Sequence, residues 1–290
     1  MTTTGSQIYL LKHSIEVGVV ARPCVNGAEA RPGAKSRGIW LAFIGAYYYQ
    51  MESLTVTAMA GLGNRLMALT SALAIGREMG IPVKIIWTPS YECRIGFDDL
   101  FEPLPNVQRG TEGVFLYPTQ CGNAAQFDAL PKTRNMHIIT YIHFYRSPNL
   151  TSILRELKPR QEFVDKVSAL FGDKKVVGVQ IRRTDNEAAI RHSPTELFLN
   201  EMATYPSGTY FFLATDSEFE KVKLKDAYGS RILTFNAPLN RGTMEGMRAG
   251  FTDFLALSRC SEILASFHSS FSEKASEFGD VPMRVLKLPE

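Results

Sequence analysis

Strand-like and helical runs alternate through the second half of the chain, and nothing else in the sequence limits its fold so strongly. Val176–Ile181, Tyr210–Thr215, Ile232–Phe235, Ile263–Ser266 and Arg284–Leu288 read as strands, with amphipathic helical runs at Pro194–Tyr205, Glu218–Tyr228, Met244–Arg259 and Ser270–Phe278. Strands spaced by helices in this way predict a mostly parallel sheet with right-handed crossovers. The first half opens in the same manner. Leu54–Ala58 reads as a strand, Ala60-Gly-Leu-Gly63 as a turn, Asn64–Met79 as a helix ended by Gly80 and Pro82, and Val83–Trp87 as a second strand. His137–Ile142 reads as a further strand and Val114–Tyr117 as a candidate one, while the rest of 88–135, rich in Pro, Gly and Asn, suits long loops around a site.

The expected architecture is therefore α/β, with two Rossmann-like lobes of mostly parallel strands facing a central cleft. A length of 290 residues suits two domains, and Pro148 and Pro159 bracket a short helix where the division belongs. The expected organisation is an N-terminal lobe over 51–155 and a C-terminal lobe over 156–290. Residues 1–50 lack sustained periodicity and read as an extension, or as upstream sequence read through from an early start codon.

Function concentrates at strand exits, because open α/β sheets bind ligands outside the carboxyl ends of their strands. Gly61-Leu-Gly63-Asn64 lies at the first exit, where glycines admit a ligand close to the backbone. It lacks the third glycine of a dinucleotide fingerprint and the Lys-Ser/Thr of a P-loop, and as plain structure it is a tight turn with Asn64 as N-cap. Gln180-Ile-Arg182-Arg183-Thr-Asp185 ends a buried strand. If the strand geometry continues, Arg182 and Arg183 point to opposite faces, so that one reaches a ligand and the other pairs with a carboxylate such as Asp185. Asp216 ends the next strand, where an N-cap role would suffice for it. Ser269, Ser270 and Phe271 open a helix whose hydroxyls and N–H groups suit a phosphate. Asp253 sits among Phe251, Phe254 and Leu255, where a carboxylate needs a partner: a ligand, or internally Arg182, Arg183 or Arg248.

In this order, Gly-Leu-Gly-Asn-Arg-Leu, Val-Gln-Ile-Arg-Arg-Thr-Asp, Phe-Leu-Ala-Thr-Asp, and Asp-Phe-Leu-Ala-Leu-Ser-x-Cys with Ser-Phe-His-Ser-Ser-Phe-Ser, the motifs resemble the superfamily of α1,2-, α1,6- and protein-O-fucosyltransferases. The resemblance spans roughly 54–288 and is densest over 176–278. Locally it is similar to the core α1,6-fucosyltransferases, whose His-Val-Arg-Arg-Thr-Asp is followed by Glu-Ala-Ala. Here Arg182 to Ala189 matches with a shorter link before Glu187, and Gln180 stands where that family usually has His.

The resemblance implies a GT-B fold and an inverting, metal-independent transfer of L-fucose from GDP-fucose to a glycan hydroxyl. By the same token Arg182 neutralises the β-phosphate, Glu187 is the base with Asp185 as second candidate, Asp253 reads the guanine edge, and Ser269 and Ser270 bind phosphate. Gly61, Gly63, Asn64, Gln180, Arg183, Asp216, Arg248 and Phe271 complete the expected nucleotide site. No cofactor beyond the donor is implied. Another GDP- or UDP-sugar, or a silent sugar-nucleotide or glycan-binding module, remain the alternatives.

The net charge of +3 comes from scattered basic residues and does not argue for nucleic acid. Four cysteines without metal-ligand spacing read as free thiols of a reducing, cytoplasmic setting. The longest apolar stretch, Gly38–Tyr49, is about 12 residues against the roughly 20 of a spanning helix, so no stable membrane span is expected. The basic residues before it, Arg31, Lys35 and Arg37, keep a signal-like segment open.

Overall fold

The computed structural model describes residues 51–110, 119–237, 240 and 242–289, all within one compact unit. The extension over 1–50, with Cys24, and the candidate strand Val114–Tyr117 lie outside the described residues.

Two parallel five-stranded sheets form the frame. In the first, β1 (Ser53–Ala58), β2 (Val83–Trp87), β3 (Val107–Arg109), β4 (Thr119–Gln120) and β5 (Asn135–Thr140) stand in the order β3-β2-β1-β5-β4. Helix α1 (Leu62–Met79) joins β1 to β2, and α2 (Ala124–Ala129) precedes β5. Two helices, α3 (Leu150–Arg155) and α4 (Gln161–Phe171), lead to the second sheet. There β6 (Val176–Ile181), β7 (Tyr210–Thr215), β8 (Ile232–Leu233), β9 (Ile263–Ser266) and β10 (Met283–Leu286) run in the order β10-β9-β6-β7-β8. The connecting helices are α5 (Glu187–His192), α6 (Thr195–Ala203), α7 (Glu218–Tyr228), α8 (Met244–Leu257) and α9 (Ser270–Gly279). Counted from its own first strand, this sheet has the doubly wound order 3-2-1-4-5.

Alternation along β6 explains its packing. Val177, Val179 and Ile181 enter one cluster with Phe211, Leu213 and Leu264, covered by Phe198 and Met202 of α6 and Leu224 of α7. The opposite face carries Gly178, where an added Cβ would lie 2.9 Å from Leu257, so helix α8 settles directly on the strand. A larger cluster joins α8 to the first sheet's loops. The ring of Phe251 meets Phe101 at 4.9 Å and Phe163 at 4.8 Å between centroids, both edge-on. Each such buried ring contributes about 1.5–3 kcal/mol by area alone.

Several boundaries differ from the sequence reading. The strand read as His137–Ile142 is Asn135–Thr140, because its pairing with β1 ends at Ala58 opposite Thr140. The one read as Ile232–Phe235 stops at Leu233, where pairing with β7 ends, and the last strand runs Met283–Leu286. Helix α4 was not anticipated, although Phe163, Val167 and Phe171 at four-residue spacing form its buried face. Among the described residues no helix is long and apolar enough to cross a membrane.

Candidate active site

Each sheet reverses its strand order beside its first strand, between β1 and β5 in one and between β6 and β9 in the other. Such switch points open a crevice at the strand ends. Both open onto the same cleft of about 1210 Å³, large enough for a nucleotide sugar and more. An asparagine ties each switch point. Asn64 donates from Nδ2 to the Tyr141 carbonyl at 2.7 Å, and Asn186 from Nδ2 to the His268 carbonyl at 2.9 Å. The chain is strained at both exits. Ala60 (φ 64°) and His268 (φ 53°) adopt left-handed conformations that residues with a Cβ rarely hold.

Two helices begin at these exits. Gly61 is the N-cap of α1 and Ser269 that of α9, and neither makes a side-chain capping bond. Their first-turn N–H groups therefore remain available beside the cleft, which Gly61, Gly63, Ser269, Ser270 and Phe271 line. Asn64 is not the N-cap: it lies inside α1, its Nδ2 engaged by Tyr141 and its Oδ1 accepting from Ser270 Oγ at 3.4 Å. The two helix starts nearly touch. A Cβ on Gly63 would stand 2.9 Å from the Ser270 carbonyl oxygen, so Gly63→Ala is expected to push α9 away from α1 and cost about 1–3 kcal/mol. Chemical denaturation checks this; an unchanged unfolding midpoint would show that the contact yields freely.

The arginine pair divides as strand alternation requires. Arg182 follows the even positions of β6 into the cleft, where it pairs with Asp185 and, at 3.2 Å, with Asp216. Arg183 turns to the other face. Its Nε donates to Glu220 Oε1 at 2.7 Å and its Nη2 to Thr195 Oγ1 at 3.0 Å, and Thr195 in turn donates to Glu220 at 2.7 Å. Asp216 is not a helix cap, since Ser217 caps α7. Instead Asp216 accepts from the Arg183 N–H at 2.7 Å and the Thr184 hydroxyl at 2.7 Å, which fixes the backbone that aims Arg182.

Asp253 projects from α8 into the cleft and has no hydrogen-bond or ion-pair partner among the described residues. Desolvation raises its carboxyl to about 7, against the lowering influence of the Lys221 ammonium. Lys221 of α7, itself bonded to Glu218 at 3.0 Å, also lines the cleft. Gln180 adds a second unanswered acceptor: its Oε1 is buried on the cleft wall without a described partner.

The cleft thus gathers Gly61, Gly63, Asn64, Gln180, Arg182, Asp185, Glu187, Asp216, Asp253, Ser269, Ser270 and Phe271. Arg183 and Arg248 lie outside it, which corrects their expected place in the nucleotide site. Arg183 is held by Glu220, and Arg248 is paired with Glu162 of the unanticipated α4. Sequence reasoning missed Lys221, Thr184, Asn186, Tyr91 and Glu92. Among the described residues no group of three or more His, Cys, Asp or Glu is arranged for a metal ion, and Cys93, Cys121 and Cys260 are buried free thiols.

No family profile matches the sequence, and no curated protein does. Solved structures do match. NodZ α1,6-fucosyltransferase soaked with GDP-fucose, whose counterpart is from Bradyrhizobium, has a TM-score of 0.56 at 17% identity over 81% of this chain and 94% of that one. POFUT1 in complex with GDP has a TM-score of 0.54 at 10% identity over 81% and 98%. A FUT1 variant from Arabidopsis thaliana in complex with GDP has a TM-score of 0.53 at 12% identity over 88% and 76%. At such identities the likeness establishes the fold, and the chain has the GT-B arrangement of two parallel-sheet lobes about a cleft.

Proposed function

We propose that this chain is a glycosyltransferase that takes L-fucose from GDP-fucose and places it on a glycan hydroxyl with inversion, without a metal ion. The observation that carries the reading is Asp253, a carboxylate in a nucleotide-sized cleft that no described side chain answers. Guanine offers N1–H and N2–H₂ as adjacent donors that one carboxylate accepts together, whereas uracil has no such pair. The choice of fucose rests on the solved neighbours, one of which was soaked with GDP-fucose.

The other groups fit the same reading. Arg182 and the uncapped starts of α1 and α9 supply positive potential for a diphosphate, and a guanidinium matches phosphate oxygens in a bidentate way. The exposed Asp185 can release Arg182 to the donor, while Asp216, with its further N–H and hydroxyl donors, keeps it aimed. Glu187, at the start of α5, has no described partner and is the general base, with Asp185 second because Arg182 engages it. The acceptor oxygen attacks the anomeric carbon and its proton passes to Glu187. The bond from that carbon to the β-phosphate oxygen breaks, and GDP leaves with the electron pair. One displacement inverts the centre.

We further place the acceptor on the lobe of residues 51–155 and the nucleotide on that of 156–290, in a protein of a reducing, cytoplasmic setting. A donor screen tests the proposal. GDP release from GDP-fucose is expected at the same rate with and without chelator, and UDP-sugars are expected to be inert. Activity lost to chelator and restored by Mg²⁺ or Mn²⁺ would refute the metal-free step. GDP binding without turnover of any donor would mark a binding module instead.

A further inference from the structure

The turn Ser90–Cys93 is held by a device that an ordinary surface turn does not need. Its ends exchange backbone bonds, Ser90 N–H to Cys93 O at 3.0 Å and Cys93 N–H to Ser90 O at 3.1 Å. Beneath it lies Arg65, fully buried in α1. Its Nε donates to the Ala60 carbonyl at 2.8 Å, Nη1 to the Thr88 carbonyl at 2.7 Å and Nη2 to Ser90 Oγ at 2.9 Å, with the guanidinium 5.4 Å from the Trp87 ring centroid. A buried cation spending its donors on neutral oxygens is costly. Its visible effect is to fix this turn to the Ala60 exit of β1.

At the tip are Tyr91 and Glu92, and both line the cleft. Tyr91 is 78% exposed, the most exposed large hydrophobic residue among those described. Glu92 is exposed and has no hydrogen bond or ion pair with a described residue. The turn follows β2 of the first sheet, whereas Arg182 and Asp253 belong to the second, so the two sets line one cleft from different lobes. A rigid aromatic ring offers its face to the C–H face of a pyranose, and a neighbouring carboxylate accepts from sugar hydroxyls. Fixing the backbone that carries such a ring in advance removes part of the entropy cost of binding.

We infer that Tyr91 and Glu92 form the acceptor subsite and bind a neutral pyranose of the glycan. The inference rests on the glycosyltransferase reading above. The Glu92 carboxylate beside Tyr91 disfavours an anionic sugar at this end of the cleft, so uronates and sialates are excluded from the subsite.

Saturation-transfer NMR on the GDP-loaded full chain tests this, with chitotriose, cellotriose and lactose as neutral probes and digalacturonate as the acidic one. At least one neutral probe is expected to bind the wild type, and digalacturonate is not. Tyr91→Ala should weaken that neutral probe about tenfold or more. Tyr91→Phe should retain the affinity, and Glu92→Gln should lower it. GDP affinity by calorimetry should stay unchanged in all three, as should both ligands in Phe219→Ala, a 72% exposed ring away from the cleft. Unchanged neutral-sugar affinity in Tyr91→Ala, no neutral probe bound, or preference for digalacturonate would overturn the subsite. Failure of the wild type to bind GDP would overturn the parent reading, and the subsite with it.

Discussion

Arg182→Ala is expected to lower sugar transfer on the order of 100- to 1,000-fold while leaving the protein folded, the range for removing one preorganised donor from developing negative charge. The side chain faces the cleft, and its carboxylate partners tolerate its loss. Asp185 is exposed, and Asp216 keeps the Arg183 N–H and both donors of Thr184. Arg183→Ala is expected to behave in the opposite way. It strips the buried Glu220 of its guanidinium, leaving Thr195 as its remaining side-chain donor, and breaking such a pair from one side costs about 3–5 kcal/mol. Single-turnover rates and thermal melts of both variants separate the roles. Equal losses of rate with equal melting temperatures would show that the pair acts as one unit.

That contrast was legible in the sequence because alternation with a period of two survives to the end of β6, and each arginine inherits the face of the residue two before it. Val179 and Ile181 lead to Arg183 on the face of α6 and α7, whereas Gly178 and Gln180 lead to Arg182 beneath α8. The order of strands and helices was legible for the same reason. What stayed hidden depends on how distant elements meet. Nothing local marks Lys221 as a cleft residue, since it enters only because α7 packs beside β7. Nor could spacing show that Glu220, 37 residues from Arg183, is its partner. Arg248 is a different case. Its partner Glu162 lies on α4, whose buried Phe163, Val167 and Phe171 carried a readable helical period.

Asp253 ties nucleotide recognition to pH. Its carboxyl is raised to about 7 in the folded protein, against roughly 3.9 in an unfolded chain. The folded state therefore holds a proton that the unfolded chain releases earlier, and this residue's contribution to stability declines as pH rises from about 4 through about 7. Asp253→Asn removes that penalty, so the ligand-free variant is expected to melt at the same temperature as the wild type or higher at about pH 8. GDP binding follows the opposite course. The ionised carboxylate accepts from guanine, so wild-type affinity should rise from about pH 5.5 to about pH 8, whereas in the variant this dependence is lost.

Calorimetry of the wild type and Asp253→Asn with GDP and UDP at about pH 8 tests the central claim most directly. GDP is expected to bind more weakly by about 1.5–3 kcal/mol, roughly ten- to somewhat over a hundredfold, in a folded variant, with UDP binding unaltered. Unchanged GDP affinity, or an equal loss for both nucleotides, would contradict it.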